Sequence, residues 1–81
     1  MEKEEVKKHV ESLSEDEKTL ILLRGELYEG SWDEMLKDLE NRLAGKPYVF
    51  KLASRIEDDI KRIRKLKEFE EEKQVDLGGF L

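Results

Sequence analysis

The stretch LILLRGELYEGSW, residues 20–32, sets four consecutive large aliphatic side chains against two glycines, a tyrosine and a tryptophan. On a helical projection Leu20, Leu23 and Leu27 form one stripe, and Ile21, Gly25 and Tyr28 form a second about 100° away. Two apolar stripes predict two packing neighbours and make this the central helix. Gly25 costs about 1 kcal/mol against alanine inside a helix. Its place between Ile21 and Tyr28 therefore predicts that a neighbouring backbone approaches closely there. Arg24 projects between the stripes. The simpler expectation is a stem laid over apolar surface with its head in water, and the alternative is a buried interface ion pair.

Working outward, the punctuation is clear. Ser14 followed by Glu17 reads as a capping box, in which each side chain satisfies a backbone N–H left free by the helix start. Gly30 suits the left-handed residue that closes a helix, and Ser31 with Glu34 reads as a second box. So short a link predicts a tight αα-hairpin. Trp32, Met35, Leu36, Leu39 and Leu43 then form one helical face until Gly45, and Pro47 suits the first turn of a new helix. From there Val49, Leu52, Ala53, Ile56, Ile60, Ile63 and Leu66 keep three-to-four spacing, with Glu57–Lys61 and Asp58–Arg62 as i,i+4 pairs. Upstream, Val6, Val10 and Leu13 make a thinner stripe. An alternating strand pattern is confined at best to KPYVFK, residues 46–51.

The predicted fold class is all-α, a small helical bundle forming a single domain over residues 1–81. Its central hairpin, helices at about 15–29 and 32–44, packs on a long C-terminal helix at about 48–74, beside a short flanking helix at about 2–12. Residues 75–81, VDLGGFL, form an apolar tail. The long helix would reach roughly 40 Å against about 20 Å for either hairpin helix. Its far half must be covered by the flanking helix, by another chain, or by nothing.

Composition narrows the function classes. A single core in 81 residues is marginal unless packing is very regular or a partner completes it. Charged residues make up 46% of the chain, cysteine is absent, and Asn41 and Gln74 are the only side-chain amides, a composition like that of heat-adapted proteins rich in ion pairs. Disulfides and thiolate metal sites are excluded, and no apolar run approaches a membrane span or a signal-peptide core, so the expected location is the cytoplasm. The net charge of −5 conceals a division. Residues 1–45 carry seven basic against thirteen acidic side chains, residues 46–67 eight against three, and residues 68–81 one against five.

Few residues support chemistry. The hairpin has roughly the connection of a helix-turn-helix, yet its second helix offers Asp33, Glu34, Asp38 and Glu40 against only Lys37 and Arg42, and phosphates repel such a reading head. His9 is the only imidazole, with Glu5 on the same face, and the spacings of helical zinc and di-iron sites are missing. Ser12, Ser14, Ser31 and Ser54 read as caps or surface positions, with no second histidine to supply a base. Gly78 and Gly79 precede no helix and cradle no phosphate. No catalytic, cofactor or metal residue is assigned, and no enzymatic activity is expected.

The expected function is a protein-interaction or assembly module, a homo-oligomer or a clamp for a protein partner, that associates through its long helix. The residues assigned to contact are Arg24, Tyr28, Trp32, Ile60, Ile63, Leu66, Phe69, Phe80 and Leu81. The alternative is nucleic-acid association through Lys61, Arg62, Arg64, Lys65 and Lys67, where a line of cations could release counterions from phosphate and Tyr48 and Phe50 could stack on bases. Against it, those cations can simply solvate the helix and pair along it, Arg64 with Glu68 and Lys67 with Glu71. The tail is expected to turn back at Gly78–Gly79 and bury Phe80 and Leu81 beside the long helix, in this subunit or its neighbour, with fraying as the alternative.

Overall fold

The computed structural model describes residues 2–45 and 50–81. Four helices follow one another: α1 Glu2–Ser12, α2 Glu15–Leu27, α3 Trp32–Gly45 and α4 Phe50–Lys73. A short 3-10 turn, Leu77–Phe80, comes last. No strand occurs among the described residues, and the architecture is the predicted all-α bundle with a hairpin packed on a long C-terminal helix. Residues 46–49, most of KPYVFK and the place where the long helix was expected to begin, lie outside the described residues.

The helix ends follow the local chemistry. Ser14 Oγ accepts the Glu17 N–H at 3.2 Å while the Ser14 N–H donates to Glu17 Oε1 at 3.1 Å, so the first capping box is complete. At α3 the Glu34 N–H donates to Ser31 Oγ at 3.1 Å, and the reciprocal bond is not among the hydrogen bonds of the described residues. Between them the helix stops at Leu27, earlier than the expected Glu29. Two consecutive left-handed residues, Glu29 at φ 52° and Gly30 at φ 83°, swing the chain round until the Gly30 N–H meets the Arg24 carbonyl at 3.0 Å. Reversing direction in so few residues takes both, and Glu29 bears that conformation without being glycine, at about 1–2 kcal/mol.

Cross-links between helices define their directions. Glu5 pairs with Lys73 at 3.8 Å and His9 stacks on Phe69 with ring centroids 3.9 Å apart, so α1 runs antiparallel to α4. Asp16 reaches Arg62 at 3.8 Å and Arg24 reaches Glu70 at 2.7 Å, so α2 runs parallel to it. Asp33–Lys67 at 2.6 Å and Glu40–Arg64 at 3.6 Å make α3 antiparallel. Three helices thus converge on α4, and α4 takes the central place expected of α2. The far half of α4 is covered from within the same chain, by α1 and by the tail region.

One core cluster joins Val6 and Val10 of α1, Leu13 just after it, Leu20 and Ile21 of α2, Trp32 and Met35 of α3, Ile63 and Leu66 of α4, and Leu77. The supposed two stripes of α2 are the flanks of one buried face, Leu20, Ile21 and Arg24, with the arginine between them. Leu27 is 66% exposed, and a Cβ built on Gly25 would meet nothing within 4 Å. The expected close approach at Gly25 is therefore absent, because that side of α2 faces open space.

The tail docks. The 3-10 turn packs on α1 and α2 rather than on α4 alone, and Leu77 is fully buried. Phe80 is half-buried against the core, while Leu81 stays 47% exposed. Leu77, ahead of the two glycines, is thus the anchor where Phe80 and Leu81 were expected to be. Removing a fully buried leucine side chain costs about 2–5 kcal/mol, whereas truncating an exposed one changes little. Leu77→Ala should lower the unfolding free energy obtained from urea titration by an amount in that range, and Leu81→Ala should leave it within about 0.5 kcal/mol of the parent.

Candidate interaction sites

The centre of the molecule is polar. Arg24, its side chain only 6% exposed, donates through Nη1 to both oxygens of Glu70, at 2.7 and 2.9 Å, and through Nη2 to Asp76 Oδ1 at 2.7 Å. Trp32 Nε1 donates to Glu70 Oε1 at 2.6 Å and the Leu77 N–H to Oε2 at 2.8 Å. The Arg24 guanidinium carbon also lies 4.3 Å from the Trp32 ring centroid. Glu70 therefore accepts four bonds and loses little by leaving water, which is what a buried carboxylate requires. One donor, Arg24 Nε, is buried without a partner. The expectation that Arg24 keeps its head wet is overturned. The pair is buried as the alternative held, but within one chain.

A second place is apolar and open. A groove of about 500 Å³ runs between the end of α3 and the first half of α4, lined by Leu43, Ala44 and Ile60 with Glu40, Glu57, Lys61 and Arg64 around them. Ile60 is 7% exposed, and it lies outside the main core cluster.

Tyr28 ties the hairpin together, its hydroxyl donating to Asp38 Oδ2 at 2.6 Å. This bond, burial and the Asp38 charge together hold the phenol above its ordinary value of 10.0, with Arg42 opposing them. The Lys67 ammonium is held up chiefly by its bond to Asp33, with burial opposing and the charges of Asp33 and Glu71 adding to it.

Of the residues assigned to contact, Arg24, Trp32, Ile60, Ile63 and Leu66 are buried in this chain, Tyr28, Phe69 and Phe80 pack at the core's edge, and Leu81 is exposed. In the basic segment, Arg62 bonds Asp59 at 2.8 Å and Arg64 pairs with Glu40 rather than with Glu68. Lys67 bridges Asp33 at 2.6 Å and Glu71 at 3.9 Å. Among the described residues only Lys61 and Lys65 of that segment make no ion pair, so most of its charge is answered by this chain's own carboxylates. His9 is stacked on Phe69 and Glu5 is turned to Lys73, and no group of three metal-ligating side chains occurs among the described residues. No described helix is long and apolar enough to cross a membrane.

Glu70, Asp76 and Leu77 escaped the sequence reading, although signals for them existed. Glu70 follows Ile63 and Leu66 on the buried stripe of α4, a lone carboxylate on an apolar face matching the lone cation on α2. Asp76 two residues before Gly78 is an Asx-turn pattern. No protein-family model, curated protein or solved structure matches this chain.

Two predictions follow from this geometry. Glu70→Ala strands Arg24 in the core and should cost about 3–5 kcal/mol in urea unfolding, while Asp76→Ala, removing a carboxylate 77% exposed, should cost about 1 kcal/mol or less. For Tyr28 and Lys67 both folded values are raised, so their contributions are complete below the ordinary values of 10.0 and 10.5 and are lost as pH rises through the higher folded ones. Stability should fall above about pH 10, and less steeply in Tyr28→Phe, as followed by urea unfolding across alkaline pH.

Proposed function

We propose that this chain is a small non-enzymatic assembly module that self-associates through α4. The observation that carries the reading is the groove between α3 and α4. Its apolar floor, Leu43, Ala44 and Ile60, is rimmed by two carboxylates, Glu40 and Glu57, and two cations, Lys61 and Arg64. A rim with both signs suits a second copy of itself. Under a two-fold axis each charged group can face its opposite, which is the self-complementarity of an isologous interface. Covering the floor would also add apolar burial to a small core.

Light scattering at micromolar concentration should give a mass of at least twice 9.6 kDa, with a melting temperature that rises with concentration. Ala44 is exposed on the groove floor, away from the core cluster. Ala44→Lys should therefore yield a monomer with unchanged helicity. A wild-type monomer whose melting temperature ignores concentration would overturn the reading.

A further inference from the structure

We propose that the cleft between α1, α2 and the end of α4 is a docking site for a peptide segment carrying Asp-Leu-Gly, and that residues 75–81 occupy it as a displaceable latch. The cleft lies apart from the α3–α4 groove, and the inference does not rest on self-association.

The receptor side is complete without the latch. Glu70 grips Arg24 Nη1 with both oxygens and is itself fixed by Trp32 Nε1, whose ring stacks on the guanidinium. None of these groups belongs to the tail. They leave Arg24 Nη2 directed at the incoming carboxylate and Glu70 Oε2 directed at the backbone N–H of the next residue. One donor and one acceptor at fixed spacing select an acidic residue and orient the peptide after it.

Each latch position answers a separate demand. The Asp76 carboxylate takes Arg24 Nη2 at 2.7 Å and the Gly78 N–H at 2.9 Å, closing an Asx turn. Leu77 is fully buried. A Cβ at position 78 would come to 3.1 Å from Asp76 Oδ1 and 3.3 Å from Arg24 Nη2, both already committed to bonds, whereas one at position 79 would meet nothing within 4 Å. Neither glycine has a positive φ, so the preference for glycine at 78 comes from the tight fit there rather than from turning the chain. The cleft reads Asp, Leu and Gly in order, and is indifferent at the next position.

Leu77 anchors the latch, and its outer, polar contact is the weak one. The Asp76 carboxylate is 77% exposed and shares one cation with Glu70, a triad of net charge −1. Gln74, at φ 54°, is the left-handed residue that ends α4, with the Val75 N–H returning to the Glu70 carbonyl at 3.2 Å, and the latch begins just after it. A competing segment must therefore supply its own leucine and carboxylate, replacing what the latch gives up.

The test uses the full-length chain and the synthetic peptide VDLGGFL. In the wild-type chain the tethered tail competes at an effective concentration of about millimolar, so the weakened latch of Asp76→Ala is the better acceptor. Titration calorimetry should show that Asp76→Ala binds the peptide tighter than the wild-type chain does, by up to about fivefold, the ratio that about 1 kcal/mol of lost latch stability allows. Amide exchange should show the protein's own Leu77 N–H losing protection as the peptide is added. A peptide carrying Asp76→Ala should bind up to about fivefold more weakly, one carrying Gly78→Ala measurably more weakly, and one carrying Gly79→Ala as well as the parent. Circular dichroism confirms folding, and should Asp76→Ala fail to fold, the full-length Gly78→Ala chain serves as the weakened acceptor. A folded acceptor that ignores millimolar peptide, or equal binding of the Gly78→Ala and parent peptides, would overturn the proposal.

Discussion

The buried pair of Arg24 and Glu70 is the constraint around which the rest is arranged. It joins α2 to α4 across the core, and the Trp32 indole joins α3 to the same carboxylate. A charge taken out of water costs several kcal/mol unless its partners are well placed. Such a centre contributes little net stability beyond a well-packed apolar one, yet it penalises other registers strongly. An α2 slipped by one residue would leave both charges buried and unanswered. The apolar residues supply the driving force, and the ion pair selects one arrangement of them.

That centre also explains the tail. Glu70 has a lone pair left for the Leu77 N–H and Arg24 has a second nitrogen left for Asp76. With Leu77 inserted, the turn seals the end of the bundle where α1 and α2 meet.

The molecule is long, 47 by 22 by 20 Å, and its two ends differ in character. The end holding α1 and the 3-10 turn is closed by intrachain contacts. Toward the end of α3 and the first half of α4, the described residues leave a groove floored by Leu43, Ala44 and Ile60 between charged walls. Leu22, 56% exposed, and Leu27 are further apolar side chains on the surface of α2. The basic segment of α4 contributes walls and cross-links more than a free patch of charge.

Local chemistry determined the elements. The bounds of α1 and the starts of α2 and α3 were legible because caps, glycines and three-to-four spacing act within a few residues of themselves. The all-α class followed from the same periodicity. The assignment of α2 as the central helix misled because a projection shows which residues are apolar, not which side of them a neighbour will occupy. Ile60, Ile63 and Leu66 were legible as a face, though their first partners are in this chain. Tertiary structure alone decided the partner of Arg24, forty-six residues away in Glu70, and the role of Leu77 ahead of its two glycines. Both depend on which helices share a face in three dimensions. No local propensity encodes a pairing that forms only once the chain has folded back on itself.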